Sequence, residues 1–137
     1  MPTELSNTKR KNESLILKLP SVEAQLATWI QAVDQNLVNR SLTLMRGGFT
    51  VYVRKSRRTL DGSNVTTLDI ASINIHERHR GRGWFRAFRS VAESLNPWDA
   101  TYYECVNNQR LASYFRSARL SAEHENCFYV FRRAARE

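Results

Sequence analysis

Ile75-His76-Glu77-Arg78-His79-Arg80-Gly81-Arg82-Gly83-Trp84-Phe85 carries an apolar, strand-like segment into an arginine- and glycine-rich loop that opens a helix. Glycine lets a backbone pass close to a ligand with its N–H groups exposed. The first turn of a helix adds unpaired amide donors at the positive end of its dipole. The stretch therefore reads as an anion site with phosphate-binding geometry.

Upstream of the loop, Val65 to His76 is the longest strand segment, with Ala71, Ile73 and Ile75 on one face. A turn at Asp61-Gly62-Ser63-Asn64 separates it from Phe49 to Lys55, where Phe49, Val51 and Val53 alternate with Thr50, Tyr52 and Arg54. Gly47-Gly48 divides that strand from Leu42 to Arg46. Before these lies an amphipathic helix that starts at its N-cap Ser21, with Val22, Leu26, Trp29, Ile30, Val33 and Leu37 at spacings of three and four. Ser14 to Leu19 reads as a first strand stopped by Pro20, and Met1 to Asn12 as a loose polar arm.

Downstream, Trp84 to Leu95 is helical with Trp84, Phe88, Val91 and Leu95 on one face, ended by Asn96-Pro97. Strand returns at Thr101 to Val106, a helix follows over Asn107 to Ala118 with Leu111, Tyr114, Phe115 and Ala118 on one side, and Cys127 to Phe131 is β-rich. A helix joining two strands at this spacing favours a parallel pair inside an otherwise antiparallel sheet. The fold class is α+β or mixed α/β, in one domain over residues 13–137.

At 137 residues the chain is long enough for a single core, and its apolar fraction of 42% is ordinary for a globular protein. It has no run of eighteen apolar residues and no hydrophobic leader, so a soluble, cytoplasmic protein that does not engage membranes is expected. Cys105 and Cys127 both lie in strand segments without a partner motif and read as reduced, buried thiols. No Cys/His spacing suggests a metal. The net charge is +8, and seventeen of the 21 basic residues are Arg, the side chain suited to bidentate phosphate or carboxylate recognition.

With these elements in place, the sequence resembles the GNAT acyl-CoA-dependent N-acyltransferases over roughly residues 65 to 120. The motif is Arg/Gln-x-x-Gly-x-Gly/Ala, and two registers fit. Arg78-His79-Arg80-Gly81-Arg82-Gly83 satisfies every position. Arg80-Gly81-Arg82-Gly83-Trp84-Phe85 is preferred, because Arg-Gly-x-Gly then leads directly into the helix at Arg86, although Phe85 stands where glycine or alanine is usual. A second similarity is a strand, an Asn and a short helix containing Tyr. If Asn108 takes the Asn position the family tyrosine falls on Phe115; if Asn107 does, it falls on Tyr114.

The resemblance implies a mostly antiparallel sheet in which the strands Val65 to His76 and Thr101 to Val106 splay apart to admit the pantetheine arm of acetyl-CoA. The amides of Gly81, Arg82, Gly83, Trp84 and Phe85 are then the pyrophosphate ligands, with Arg80, Arg82 and Arg86 near the phosphate charge. Ile73, Asn74 and Ile75 would dock the acyl end. Asn108 joins the cofactor site by its place in the motif.

Acetyl transfer to an amine needs a neutral amine, a polarised carbonyl and a protonated thiolate. A lysine-like amine has a pKa of about 10.4, so at neutral pH only about one molecule in a thousand is nucleophilic and a base helps. Glu77 and Glu104 are the candidate bases, with His76 and His79 as alternatives, and Tyr114 is the candidate acid. Each also has a structural reading: the glutamates as ion-pair partners, Tyr114 as a core residue, the histidines as loop residues. A second basic cluster, Arg46, Arg54, Lys55, Arg57 and Arg58, reads either as a solvated hairpin tip or as a platform for nucleic acid or an acidic protein. The alternative to an enzyme is an inactive or unrelated basic domain that binds nucleic acid. A homodimer through the C-terminal strands also stays open.

Overall fold

The computed structural model describes residues 20–104, 109–118, 120–124 and 127–132. The arm at Met1 to Asn12, the strand read at Ser14 to Leu19, Cys105, Asn107, Asn108 and Arg119 lie outside the described residues.

Helix α1 (Val22–Asp34) begins where Ser21 Oγ accepts the Ala24 N–H at 3.1 Å. It buries Val22, Leu26, Trp29, Ile30 and Val33. It stops a turn before Leu37, which is 70% exposed. Asn36 at φ +58° ends it: its N–H donates to Val33 O at 3.1 Å and that of Leu37 to Ala32 O at 3.1 Å. This paired closure uses a left-handed residue, a role Asn tolerates, and it outweighs the apolar period that continues to Leu37.

Three antiparallel strands follow: β1 (Ser41–Arg46), β2 (Phe49–Leu60) and β3 (Ser63–Ile75). Asp61 (φ +52°) and Gly62 (φ +79°) form the two-residue turn that joins Leu60 to Ser63. That turn fixes the register back to Arg54 opposite Asp69 and Val53 opposite Ile70, beyond which a one-residue shift sets Phe49 opposite Ile75. β2 is thus longer than its apolar alternation, because β3 pairs with the charged run Arg54 to Arg58 along its whole length. On the outer edge of β1 the Gln25 amide donates to Met45 O at 3.0 Å and accepts from Met45 N–H at 3.3 Å.

The chain continues through α2 (Trp84–Leu95), β4 (Ala100–Tyr103), α3 (Gln109–Ser117), β5 (Ser121–His124) and β6 (Cys127–Phe131). The sheet is six-stranded in the order β1-β2-β3-β4-β6-β5. β3 and β4 are parallel across the α2 crossover, and every other pair is antiparallel. β5 carries an exposed Ser-Ala-Glu run with no alternation, so nothing in the sequence marked it as strand.

Ala71 is an extra residue in β3. Ile70 pairs with Val53 and Ser72 with Tyr52, a bulge that lets Leu68 and Ile70 share a face with Ile73 and Ile75 despite the odd spacing. The face therefore reads Leu68, Ile70, Ile73 and Ile75, with Ala71 displaced from it. It joins the side chains of all three helices in one core with Leu44, Val51, Val53, Tyr103 and Phe128. A second apolar cluster, Leu60, Val65, Ala100, Tyr102, Cys127 and Tyr129, lies on the other face.

The two later helices are rotated from their predicted faces. α2 buries Phe85, Phe88 and Ala92 and leaves Val91 38% exposed. α3 buries Ala112 and Phe115, while Leu111 and Tyr114 are half-buried and Ala118 is exposed. Both adjust to one contact, the ring of Phe85 set edge-on to Phe115 at 5.5 Å. No described helix is long and apolar enough to cross a membrane.

Candidate active site

The parallel pairing of β3 with β4 covers Thr67 to Ile70 against Ala100 to Tyr103. The Glu104 N–H still donates to Ile70 O at 3.1 Å. Beyond that point β3 runs on to Ile75 paired only with β2, so the edge facing β4 is open from Ala71 onward among the described residues. Ile73, Asn74 and Ile75 lie on this open edge.

The glycine loop begins where the edge ends. A single 3-10 turn, Glu77–His79, follows His76, whose Nδ1 accepts the Arg78 N–H at 3.3 Å. Arg80 Nε donates to Ile75 O at 2.8 Å, folding the loop entrance back onto the strand. Gly81 (φ +75°) and Gly83 (φ +77°) are both left-handed, and a Cβ at either position would meet nothing within 4 Å. The glycines are required for conformation, and the space beside them is open to a ligand. Gly83 caps α2 without a side chain, so the amides of Trp84, Phe85 and Arg86 have no partner within the helix. Phe85, at the position where the family pattern has a small residue, turns its ring away from the loop, edge-on to Tyr103 at 6.2 Å and Tyr114 at 5.9 Å. The exposed side chains of Arg80, Arg82 and Arg86 ring the loop.

Solved structures share this fold. AtaT complexed with acetyl-methionyl-tRNAfMet matches with a TM-score of 0.52 at 15% identity, over 77% of this chain and 78% of that one. The fold is that of the GNAT acetyltransferases. A tyrosine-to-phenylalanine mutant of the AtaT toxin bound to the C-terminus of the antitoxin AtaR also matches, with a TM-score of 0.52 at 14% identity over 64% of this chain. The same mutant with antitoxin and acetyl-CoA gives 0.49 at 15% over 61% of this chain. The chain spans 61% and 57% of those two AtaT chains. No protein-family model matches the sequence, and no curated protein does.

Within the GNAT fold, the two candidate bases stand apart. Glu104 is at the splay point, and Glu77 follows the far end of β3. The five residue steps from Ile70 to Ile75 alone separate them by about 17 Å of strand. Glu77 is exposed on the 3-10 turn, beside the loop arginines. Glu104 is ion-paired through Oε2 to Arg54, and to Arg58 at 3.5 Å. His76 is exposed, whereas His79 stacks on Phe49 at 4.8 Å.

Tyr114 Oη accepts from Arg89 Nη1 at 3.2 Å. Arg89 is also paired to Glu93, Nε to Oε2 at 2.5 Å, and the Tyr103 hydroxyl donates to the same Glu93 oxygen at 2.6 Å. Burial works to lower the Arg89 pKa, but the Tyr114 hydroxyl and the Glu93 carboxylate outweigh it and hold it above the ordinary value. Burial first, and the neighbouring Glu93 charge second, push the Tyr103 hydroxyl well up, so it stays protonated.

The basic cluster of β2 divides by strand alternation. Arg54 and Arg58 sit on the face of Asp69, a fully buried carboxylate that sequence reading missed. Asp69 accepts from Arg54 Nε at 3.3 Å, Arg58 Nη2 at 2.9 Å, Ser56 Oγ at 2.7 Å and Thr67 Oγ1 at 2.6 Å. Arg58 also lies over the Tyr102 ring at 3.8 Å. Lys55 points to the helix side, where it pairs with Asp34 at 2.8 Å and sits 5.0 Å from the Trp98 ring. Arg46 and Arg57 are exposed. The five residues therefore do not form one platform. The signal for Asp69 was available: counting back from the Asp61-Gly62 turn sets it opposite Arg54.

Among the described residues no group of three or more His, Cys, Asp or Glu is placed to hold a metal. Cys127 is buried.

Proposed function

We propose that the protein transfers an acyl group, acetyl in the simplest case, from acyl-CoA to an amine by direct attack in a ternary complex. The carrying observation is the open edge of β3 from Ala71 to Ile75, which leads directly into a loop with two left-handed glycines and uncapped helix amides. An extended pantetheine arm finds backbone partners along that edge. The amides of Gly81 to Phe85 take the pyrophosphate, with Arg80, Arg82 and Arg86 offsetting its charge. Because the phosphates then lie past Ile75, the thioester faces the bulge end of the edge, toward Ile73 and Ala71.

Glu104 is the carboxylate at that end. Its two arginines both reach Oε2, which leaves the other oxygen, among the described residues, to meet an amine or a water. Glu77 stands with the phosphates and is not the base. Tyr114 is the acid: its oxygen accepts from Arg89, so its own proton is free to be given away. Acetyl-CoA titration by calorimetry, followed by free-thiol release with candidate amines, tests the proposal. Saturable binding that Gly83→Glu abolishes is the expected result. No heat and no thermal shift at millimolar acetyl-CoA overturns it.

The net charge of +8 and the exposed Arg46, Arg57 and Arg78, none of them assigned to the pyrophosphate, favour an acceptor amine carried on a nucleic acid, of which aminoacyl-tRNA is one class. The AtaT structure with acetyl-methionyl-tRNAfMet supports that class. Binding that falls steeply with salt is expected. The same salt slope with no acetyl-CoA effect would mark a binding module instead of an enzyme.

A further inference from the structure

Gly47 and Gly48 follow each other at the tip of the β1–β2 hairpin but serve different ends. Gly47 is left-handed at φ +57°, with nothing within 4 Å of the place its Cβ would occupy. Gly48 is not in the left-handed region; a Cβ there would fall 2.7 Å from His76 Cβ and 2.7 Å from His79 Cδ2. Glycine is needed at 48 because the side chains of His76 and His79, at the entrance to the glycine loop, pack directly against it. The contact is hydrogen-bonded as well, since the His76 N–H donates to Gly48 O at 2.8 Å. The next residue completes the grip. The Phe49 ring lies between His79, before the loop, at 4.8 Å and Trp84, the first helical residue after it, at 4.4 Å. Trp84 in turn stacks on the buried Phe88 at 5.0 Å.

We infer that Gly48 and Phe49 are positioning residues for the donor site: the hairpin tip clamps both ends of the loop and so presets the amides of residues 81 to 85 for phosphate. The inference rests on the acyl-CoA reading above. A flexible loop must lose conformational freedom when it closes on a ligand, and holding it in the bound shape beforehand removes that cost from binding. Gly81 and Gly83 make the loop intrinsically free, so its order has to come from outside. The clamp acts on the donor alone, because neither residue lies near the splay point at Ile70 and Glu104.

The test is acetyl-CoA calorimetry and steady-state kinetics on wild type, Gly48→Ala and Phe49→Leu, with amide exchange of residues 81 to 85 in the unliganded proteins. Expected are at least a tenfold weaker acetyl-CoA affinity and a matching rise in its KM. The acceptor KM and the kcat at saturating donor stay unchanged, and loop exchange is faster in both variants. Phe49→Tyr, which keeps the ring, restores affinity. Should Gly48→Ala fail to fold, Phe49→Leu and Phe49→Tyr carry the comparison. Wild-type affinity in a folded Phe49→Leu, or a loss confined to kcat, overturns the clamp while leaving the donor site standing. A wild type that does not bind acetyl-CoA overturns both.

Discussion

The two halves of β3 differ in what their backbone does. From Ser63 to Ile70 the strand is closed in, with β2 on one side and, from Thr67 onward, β4 on the other, over a buried Asp69 that satisfies two arginines and two hydroxyls. From Ala71 to Ile75 it has β2 alone. The side chains Ile73 and Ile75 still pack on the core, so the open half is held by burial and offers its backbone elsewhere. One strand thus combines a satisfied structural segment with a segment that, apart from the Ile75 carbonyl held by Arg80, keeps its outer edge unpaired with another strand among the described residues, and a single bulged residue marks the change.

Mutating the closed half should act first on folding. Asp69→Ala leaves Arg54 and Arg58 without their buried counter-charge, and a loss of about 3 kcal/mol is expected in urea unfolding. The open half should respond in rate. Tyr114→Phe, which keeps the ring against Phe85 but removes the proton donor, should lower kcat about a hundredfold with little change in stability. Amide exchange separates the halves directly. Acetyl-CoA at about a hundred times its Kd should slow exchange at residues 71 to 75 and in the loop by up to about a hundredfold, and leave residues 67 to 70 unchanged. Equal protection of both halves would remove the distinction.

The smallest effect lies away from β3 and serves as a control. The Lys55 hydrogen bond is the main cause that holds the Asp34 carboxyl below its ordinary value of 3.8, with the Trp98 indole and the Lys55 charge assisting against desolvation. A carboxylate with a lowered folded-state pKa contributes stability that is present above its unfolded value and lost as pH falls through the folded one. The stability gap between wild type and Lys55→Met should therefore be small, constant near neutrality, and shrink as pH falls below 3.8 toward the lowered folded-state value. The contribution is modest because Asp34 is 43% exposed.

Much of the frame was legible because it depends on local chemistry. The Asp61-Gly62 turn, the alternation from Phe49 to Val53, the glycines before Trp84 and Asn96-Pro97 after Leu95 each act through a few neighbouring residues. The errors came where distant contacts decide. The face of α2 is set by Phe85 meeting Tyr103 and Phe115, which lie on elements read separately in sequence. The Ala71 bulge is invisible in a strand pattern that reads well without it. Glu77 and Glu104 look equivalent as strand-end acids until the parallel register stops at Ile70 and places them at opposite ends of the open edge. Arg54 and Lys55, neighbours in one basic run, point through opposite faces of the sheet. Asp69 was readable only by someone who carried the turn register eight residues back along the hairpin.

The Gln25 amide on Met45 has a consequence for how copies of this chain meet. A side-chain amide presents the same donor and acceptor as a peptide unit, so α1 supplies β1 with a surrogate neighbour one residue long. A strand from another molecule would have to displace it, giving up two hydrogen bonds of about 1 kcal/mol each before gaining any. Sheet extension at β1 is thereby disfavoured, and among the described residues the opposite rim of the sheet is β5 (Ser121–His124).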